Sequence, residues 1–221
     1  MKYNDFYGQY FPFWNDLSQE DKEILCSNTS AVCFEDRQNV HNNLECTGLY
    51  ILKSGRLRLY ILSEEGREIT LYRLNPGEMC MLAASCVIQS ITFDVYLDSE
   101  LPSECYMIGA SAFGEVSERN PSVKIFALEK TVERFSDVMW VMQQALFVSL
   151  DKRLAIFLLD EISSSGDSRI AMTQEQIARH LGTAREVVSR MLKHLAADSI
   201  LEINRGGIKI IDKNKLRSIA Y

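Results

Sequence analysis

The sequence predicts an α+β protein in three parts, and three observations support that prediction. Short strand-like segments separated by glycine and proline fill much of residues 1–119. Residues 120–147 carry an unbroken heptad pattern of apolar side chains, which is typical of one long helix. Residues 148–221 end in two short amphipathic helices joined by a glycine turn, and a small hairpin follows them. We therefore expect a β-rich N-terminal domain, a long helix and a C-terminal helical domain.

The first residues are rich in aromatic side chains, and we expect this segment to dock on the protein core. Its members are Tyr3, Phe6, Tyr7, Tyr10, Phe11, Phe13 and Trp14. The run Ser18-Gln19-Glu20-Asp21 then indicates a helix start that leads into Ile24 and Leu25.

From about Thr47 the sequence changes to short strands with turns between them. Leu57 and Leu59 alternate with Arg56 and Arg58, as expected of a strand with one face in water. The predicted strands are residues 48–53, 56–62, 67–74, 91–97 and 104–108. Strands at this spacing, separated by glycine and proline, indicate a β-sandwich or a small barrel.

The next segment predicts a long helix that pairs with a copy of itself. Asn120-Pro121 is a suitable start, because proline fits the first helical position. Apolar side chains then recur at alternating spacings of three and four residues over three heptads. They are Ile125, Leu128, Val132, Phe135, Met139, Met142 and Leu146. We call this set the seam and predict a homodimer through it, the alternative being a helix that lies on its own domain.

The C-terminal part has the layout of a winged helix-turn-helix. An amphipathic helix over residues 150–163 precedes a polar break. Thr173-Gln174-Glu175-Gln176 then fits a capping box, and Gly182 suits the sharp turn after that helix. The second helix has an apolar face of Val187, Val188, Met191, Leu192 and Leu195. A strand at 200–203, a turn at 204–207 and a strand at 208–211 form the wing.

The other face of the second helix carries side chains that can read DNA bases. Arg185 and Arg190 can each donate two hydrogen bonds to a guanine. Glu186 can accept a hydrogen bond from cytosine, and Ser189 can donate or accept. This combination of residue types favours a recognition helix.

Lys193, Arg205 and Thr173 complete the predicted DNA-binding set. Lys193 and Arg205 suit backbone phosphate, which positions a protein without specifying sequence. Residues 171–221 hold nine Lys or Arg and five Asp or Glu, which is a balance of +4. Because the net charge of the whole chain is −6, residues 1–170 carry a balance of −10. This asymmetry is expected if only the C-terminal part meets phosphate. The alternative is a ligand-binding or assembly protein whose winged helix binds protein instead of DNA.

These residues also resemble a known superfamily of regulators. Arg185-Glu186-x-x-x-Arg190 is similar to the recognition helix of the cyclic-AMP receptor protein, and Glu186-x-x-Ser189-Arg190 to that of the fumarate–nitrate regulator. The resemblance to this Crp/Fnr superfamily extends over nearly the whole chain. It implies a homodimeric transcription regulator with an effector-sensing, cupin-like and cyclic-nucleotide-binding-domain-like β-roll at 1–119. It further implies a dimerisation helix at 120–147, a winged helix-turn-helix at 148–221, and DNA and RNA polymerase as partners.

The effector is not decided by the sequence, although cyclic nucleotide is disfavoured. Gly77-Glu78 resembles the start of the phosphate-binding cassette of cyclic-nucleotide sensors, in which an arginine further along holds the phosphate. Residues 74–118 contain no Lys or Arg, and burying a phosphodiester without a cation is very unfavourable.

Cysteine chemistry and an organic ligand are the other candidates. Cys26, Cys33 and Cys46 are too widely spaced for the iron–sulfur cluster of that superfamily, so no such cofactor is predicted. A redox switch or soft-metal site would use Cys80, Cys86 and Cys105, although buried packing is the commoner role of cysteine. A small organic ligand would instead contact Tyr60, Tyr72 and Phe93.

Enzymes, membrane proteins and secreted proteins are disfavoured. An enzyme on a cupin-like barrel needs histidine and carboxylate metal ligands, and residues 47–108 contain no histidine. No apolar run reaches the roughly 18 residues that span a bilayer. The first residues also lack the basic flank and apolar stretch of a signal peptide. We expect a cytoplasmic, non-enzymatic protein without a bound metal.

Overall fold

The fold is α+β, as the sequence predicts. The computed structural model describes residues 3–41, 48–80 and 94–221, and His41 only in its backbone. No helix in these ranges is both long enough and apolar enough to cross a membrane.

The chain divides into two compact units. The first comprises Met1–Ile61 and Leu71–Val138, and the second comprises Leu62–Thr70 and Met139–Tyr221. The boundaries predicted after residues 119 and 147 were drawn at the ends of secondary-structure elements, whereas the two units are defined by compactness. Those boundaries therefore stay a prediction.

The aromatic N-terminal segment is buried in the core of the first unit, as predicted. Tyr7, Phe11 and Trp14 are each at most 2% exposed. The segment forms α1 (Asn4–Tyr10) and a short 3-10 turn, and α2 (Gln19–Ser27) follows. Ser18 caps α2 as expected, since its Oγ accepts a hydrogen bond from the backbone N–H of Asp21 at 3.1 Å.

The sheet of the first unit has six strands among the described residues. They are β1 (Thr29–Phe34), β2 (Asn39–His41), β3 (Gly48–Leu62), β4 (Glu68–Leu74), β5 (Met79–Cys80) and β6 (Tyr96–Gly109). The strand order is β1-β6-β3-β4, with β2 paired to β6 and β5 paired to β3. The strand predicted at 104–108 is part of β6. The strand predicted at 91–97 is confirmed only from Tyr96 onward, and residues 91–93 lie outside the described residues.

The prediction of two strands on either side of Ser54-Gly55 is wrong. β3 runs through these residues as one strand of 15 residues. Gly55 has a φ of 93°, and the pairing of β3 with β6 shifts register around it. A Cβ at Gly55 would collide with Pro102 and Ser103, so the glycine makes a bulge here instead of a turn.

The long predicted helix is present as α4 (Pro121–Phe147), after α3 (Ala110–Arg119). One face of α4 buries Val123, Phe126 and Ala127 in the core of the first unit. The seven seam side chains lie on the surface and are 44% to 69% exposed. Trp140 and Phe147, which the heptad pattern does not include, are also exposed.

The second unit contains the predicted helix-turn-helix and wing. Its elements are α5 (Leu150–Ser165), β7 (Arg169–Ile170), α6 (Gln174–Leu181), α7 (Arg185–Ala197), β8 (Leu201–Asn204), β9 (Gly207–Ile210) and α8 (Lys213–Ala220). The three strands pair in the order β7-β9-β8. The sequence did not predict β7 or α8. Ile177, Val188, Leu192 and Leu216 are fully buried in the core that joins these elements.

Candidate nucleic-acid interface

The first helix of the helix-turn-helix begins at the capping box expected from the sequence. The backbone N–H of Gln176 donates to Thr173 Oγ1 at 3.1 Å, and the N–H of Thr173 donates to Gln176 Oε1 at 2.8 Å. The two bonds satisfy backbone groups that a helix start leaves free. Thr173 and Gln174 are thereby held at the surface where α6 begins.

The turn between the two helices has the geometry that needs glycine. Gly182 ends α6 with a φ of 66°, which is the left-handed conformation. An Arg153 guanidinium nitrogen donates to the carbonyl oxygen of Leu181 at 2.7 Å, which satisfies a backbone acceptor of the last turn. The chain is therefore held in position just before α7 begins.

The start of α7 is suited to a negatively charged ligand. Its N-cap residue, Ala184, makes no side-chain capping bond. The first N–H groups of a helix and its dipole attract anions such as phosphate. Arg185 is exposed in the same first turn and adds a positive charge there, next to the negative charge of Glu186.

The residues predicted to read DNA lie together in one open groove of about 610 Å³. We call it the recognition groove. It is lined by Gln174, Arg185, Glu186, Ser189, Arg190, Lys193 and His194. Five of these seven were predicted from the sequence. Gln174 and His194 were missed, although the helical spacing of His194 from Arg190 could have placed both on one face.

The cations of the recognition groove are available to a ligand. In the described part of the chain, Arg185, Arg190 and Lys193 take part in no ion pair within 4.0 Å. Two arginines of the first unit behave differently, since Arg73 is paired with Glu100 and Arg119 with acidic side chains. Exposed guanidinium and ammonium groups of this kind can contact phosphate or base edges without first breaking an internal pair.

The two remaining predicted residues line a neighbouring groove of about 290 Å³ between the start of α6 and the wing. Thr173 and Arg205 are among its lining residues, and Gln174 lines both grooves. All seven predicted residues therefore lie on one continuous surface, which runs from the wing across the start of α6 to α7.

Comparisons with known proteins identify the family of this chain. Residues 40–120 match the family described as cyclic nucleotide-binding domain, and residues 152–219 match the Crp-like helix-turn-helix domain. A solved structure of a transcriptional regulator of the crp/fnr family from Eubacterium rectale has 42% sequence identity and a TM-score of 0.92, and the match covers 96% of this chain and 99% of that one. The chain belongs to the Crp/Fnr family.

Two further relatives are more distant. The transcriptional regulator flp of Lacticaseibacillus casei is 25% identical over 215 residues, which are 95% of this chain and 96% of that protein. The c-di-GMP responsive regulator CLP of Xanthomonas campestris shares the fold, with 18% identity and a TM-score of 0.75 over 87% of this chain and 99% of that one. This Crp/Fnr chain is therefore a DNA-binding transcription regulator, as predicted, and its winged helix is not favoured as a protein-binding module.

The sensor candidates of this Crp/Fnr regulator are buried in the first unit. Tyr60 is 8% and Tyr72 is 7% exposed. Tyr60 stacks on Tyr96 with ring centroids 5.4 Å apart, and the Arg58 guanidinium lies 4.2 Å from the Tyr60 ring centroid. Burial raises the pKa of the Tyr72 hydroxyl, which stays protonated. Two other candidates, Cys86 and Phe93, lie outside the described residues.

A cation lies close to Gly77-Glu78, although residues 74–118 supply none. Arg134 of α4 forms an ion pair with Glu78 at 3.1 Å and another with Asp137 at 3.0 Å. Its guanidinium lies 4.7 Å from the ring centroid of Tyr72. The sequence did not reveal this group, because Arg134 is more than fifty residues away from Glu78 along the chain.

The two described cysteine candidates are packed as small apolar side chains. Cys80 and Cys105 are at most 1% exposed, and Cys80 Sγ lies 4.0 Å from the Tyr72 hydroxyl. Burial raises the pKa of the Cys105 thiol to about 12, with the nearby Cys33 and Cys80 contributing. A thiol with so high a pKa is almost wholly protonated at neutral pH, so it is a poor nucleophile.

Proposed function

We propose that this Crp/Fnr regulator binds a pseudo-palindromic operator as a homodimer, with one α7 helix in each half-site. The recognition groove carries this proposal, because it presents two arginines, a carboxylate and a hydroxyl on one exposed helix face. These are the groups that distinguish base pairs in the major groove.

Each residue of the surface has a specific role in this proposal. Arg185 and Arg190 contact guanine, Glu186 accepts from cytosine and Ser189 contacts a neighbouring base. The remaining residues contact the phosphate backbone, and they are Lys193, Arg205 and Thr173. The free N–H groups at the start of α7 add a further phosphate site.

The homodimer is supported by the seam of α4. Its seven apolar side chains are exposed in the single chain, and such a row is unfavourable in water. Ile125, Leu128 and Val132 line a groove of about 450 Å³ together with Glu129 and Glu133. A groove between successive seam residues is the hole that receives a side chain from a partner helix in a coiled coil.

The effector is proposed to bind in the first unit and to act through α4. Arg134 ties α4 to Glu78 and Tyr72, which lie next to the predicted sensor residues. An effector that changes these contacts shifts the helix pair only if it binds two states with different affinity. We propose an effector other than cyclic nucleotide, because two carboxylates already pair with the Arg134 guanidinium. An iron–sulfur cluster is not part of the proposal either.

The proposal makes the protein a binding protein without catalysis, located in the cytoplasm, where its operator and RNA polymerase are found. A small effector or a redox change remains the proposed signal.

The test is selection of bound sequences from a randomised pool of double-stranded DNA by the purified full-length chain. It is run once under air and once with reductant. The expected result is an inverted repeat with half-sites about 34 Å apart, which is one turn of the duplex. A consensus that differs between the two conditions would favour a redox signal.

An Arg190→Ala chain serves as the matched control in the same selection, and it should lose preference at one position of each half-site. Failure of the wild-type chain to enrich any inverted repeat, in either condition and with bacterial small-molecule extract added, would contradict the proposed mode of binding.

A further inference from the structure

The hairpin between β3 and β4 ends in the second unit, although the rest of both strands belongs to the first. Leu62–Thr70, which we call the hairpin tip, clusters with Met139–Tyr221. Its contacts are made with the end of α6 and with the turn before the recognition helix.

Three contacts hold the hairpin tip in place, and the first is a hydrogen bond. Thr70 Oγ1 lies 2.7 Å from His180 Nδ1, and the direction of this hydrogen bond follows the histidine tautomer. His180 is only 8% exposed, and its ring stacks on Phe157 with centroids 5.1 Å apart. A buried hydrogen bond of this kind fixes the geometry of both partners, because leaving either polar group unpaired is costly.

The second contact is steric and lies at the turn. The side chain of Ile69 sits directly above Gly182, where a Cβ would come within 2.5 Å of Ile69 Cγ1 and 2.9 Å of Cδ1. The third is a long ion pair of 3.9 Å between Glu68 and Arg179, on a partly exposed surface where it contributes little. It does, however, place the Glu68 carboxylate next to Arg179, a cation of the helix-turn-helix.

The hairpin tip is acidic. It contains three carboxylates, Glu64, Glu65 and Glu68, and one cation, Arg67, so its net charge is −2. Glu64 and Glu65 are exposed to solvent. Gly182 is three residues before Arg185, and three residues of chain span at most about 11 Å. A Cβ at Gly182 would lie 3.6 Å from the Glu68 carbonyl oxygen, and the Glu68 carboxylate lies 3.9 Å from Arg179. Glu68 is therefore held near the start of α7, at a distance comparable with the Debye length of about 8 Å at physiological ionic strength, and Glu64 and Glu65 add negative charge in the same hairpin.

Negative charge at that place opposes DNA binding, because the duplex carries one negative charge per about 1.7 Å of its axis. We propose that the hairpin tip is an autoinhibitory contact. While Thr70 and Ile69 hold the tip on His180 and Gly182, its carboxylates lower the affinity of the recognition groove for DNA. Since β3 and β4 also carry Tyr60 and Tyr72, a change in the first unit can reach the turn through this hairpin as well as through α4.

The test compares full-length variants on one fixed duplex, the consensus from the DNA selection. Thr70→Val has nearly the same shape but lacks the hydroxyl, and Thr70→Ser keeps the hydroxyl and serves as its control. We expect Thr70→Val to bind the duplex about fivefold more tightly than wild type, as the removal of one hydrogen bond allows, and Thr70→Ser to stay within about twofold. Hydrogen exchange of the amides of residues 62–70 should speed up only in Thr70→Val.

A second pair of measurements tests the charge. Glu64→Gln with Glu65→Gln should tighten binding about threefold at low salt, and this gain should shrink in the Thr70→Val background, because contacts that act together are not additive. Unchanged or weaker binding by Thr70→Val would overturn the proposal, as would an equal charge effect in both backgrounds. If Thr70→Val does not fold, the charge variant decides alone, and no gain in affinity rejects the proposal.

The autoinhibitory contact rests on the proposed DNA-binding function, but the two can fail separately. Failure of the proposed operator would appear as wild-type binding no tighter than to scrambled duplex. The same variants are then compared on scrambled duplex, because repulsion between carboxylates and phosphate does not depend on base sequence. Absence of the affinity gains there would reject the autoinhibitory contact as well.

Discussion

At the scale of single residues, two glycines of the second unit end helices in the same conformation but in different surroundings. Gly166 ends α5 with a φ of 69° and Gly182 ends α6 with a φ of 66°. A Cβ at Gly166 would meet no atom within 4 Å, whereas one at Gly182 would collide with Ile69. The pair therefore separates the conformational role of glycine from its role in allowing a close approach.

Replacing each of these glycines by alanine should destabilise the protein by different amounts. Gly166→Ala introduces only the strain of the left-handed conformation, about 1 kcal/mol. Gly182→Ala must also displace Ile69, so its loss in the free energy of unfolding should be clearly larger. Chemical unfolding of the two variants, followed by circular dichroism, measures the difference. Equal losses would show that Ile69 does not pack on Gly182 in solution.

Two cations of the recognition groove should differ in what they contribute to DNA binding. Arg190→Ala should cost about 1–3 kcal/mol on the selected operator and relax preference at one base of each half-site. Lys193→Ala should weaken binding to all sequences alike and lower the slope of log affinity against log salt by about one for each phosphate that the lysine neutralises. Titrations on the operator and on scrambled DNA at several salt concentrations measure both effects.

The matched control for this pair is Lys124→Ala, which removes one exposed positive charge at the start of α4 in the first unit. It should leave both affinity and salt slope near the wild-type values. An equal reduction of affinity on operator and scrambled DNA for Arg190→Ala would contradict its assignment to a base.

The cysteines should differ in reactivity as their burial does. Cys33 is exposed on β1, and Cys105 on the neighbouring β6 is 1% exposed with a pKa of about 12. At pH 8 about one Cys105 thiol in ten thousand would be ionised, and that fraction rises tenfold per pH unit up to the pKa. Peptide-resolved mass spectrometry after brief maleimide treatment should therefore find Cys33 modified and Cys105 intact. Rapid modification of Cys105 in the folded protein would restore it as a redox candidate.

At the scale of elements, local patterns in the sequence predicted helices and turns correctly, whereas contacts between segments far apart in the sequence were not predicted. The capping box at Thr173, the turn at Gly182 and the heptads of α4 depend on residues a few positions apart, and each was predicted. β3 was divided wrongly at Gly55, because only its partner strand shows that the glycine forms a bulge. The pair of Arg134 with Glu78 was missed for the same reason, since no local pattern marks a contact between distant segments.

The element that best tests the homodimer is α4. Phe135 is 62% exposed in the middle of the seam, so Phe135→Glu would place a charge in the dimer interface, where it must be desolvated. We expect this variant to sediment as a monomer at concentrations where the wild type is a dimer. Ser136→Glu adds the same charge at the next position, outside the seam, and should remain a dimer. Dimerisation of Phe135→Glu would place the interface elsewhere.

At the scale of the whole molecule, function depends on two copies of a small basic surface. Residues 171–221 carry a balance of +4 on a chain whose net charge is −6, so the net positive charge that attracts phosphate lies in one part of each chain. A single winged helix reads only a few base pairs. Two copies related by a two-fold axis gain affinity from a second contact that is already close to its half-site.

This geometry predicts a strict dependence on the spacing of the half-sites. Inserting five base pairs at the centre of the selected operator rotates one half-site to the opposite face of the duplex, since a turn contains about 10–10.5 base pairs. Binding should then fall to the level of an isolated half-site, and Phe135→Glu should bind both the intact and the interrupted operator at that same low level. Gel-shift titrations on the four combinations measure these affinities. If the wild-type chain bound the interrupted operator as tightly as the intact one, its two winged helices would not act as a pair, and the dimer would have to be explained without any role in DNA recognition.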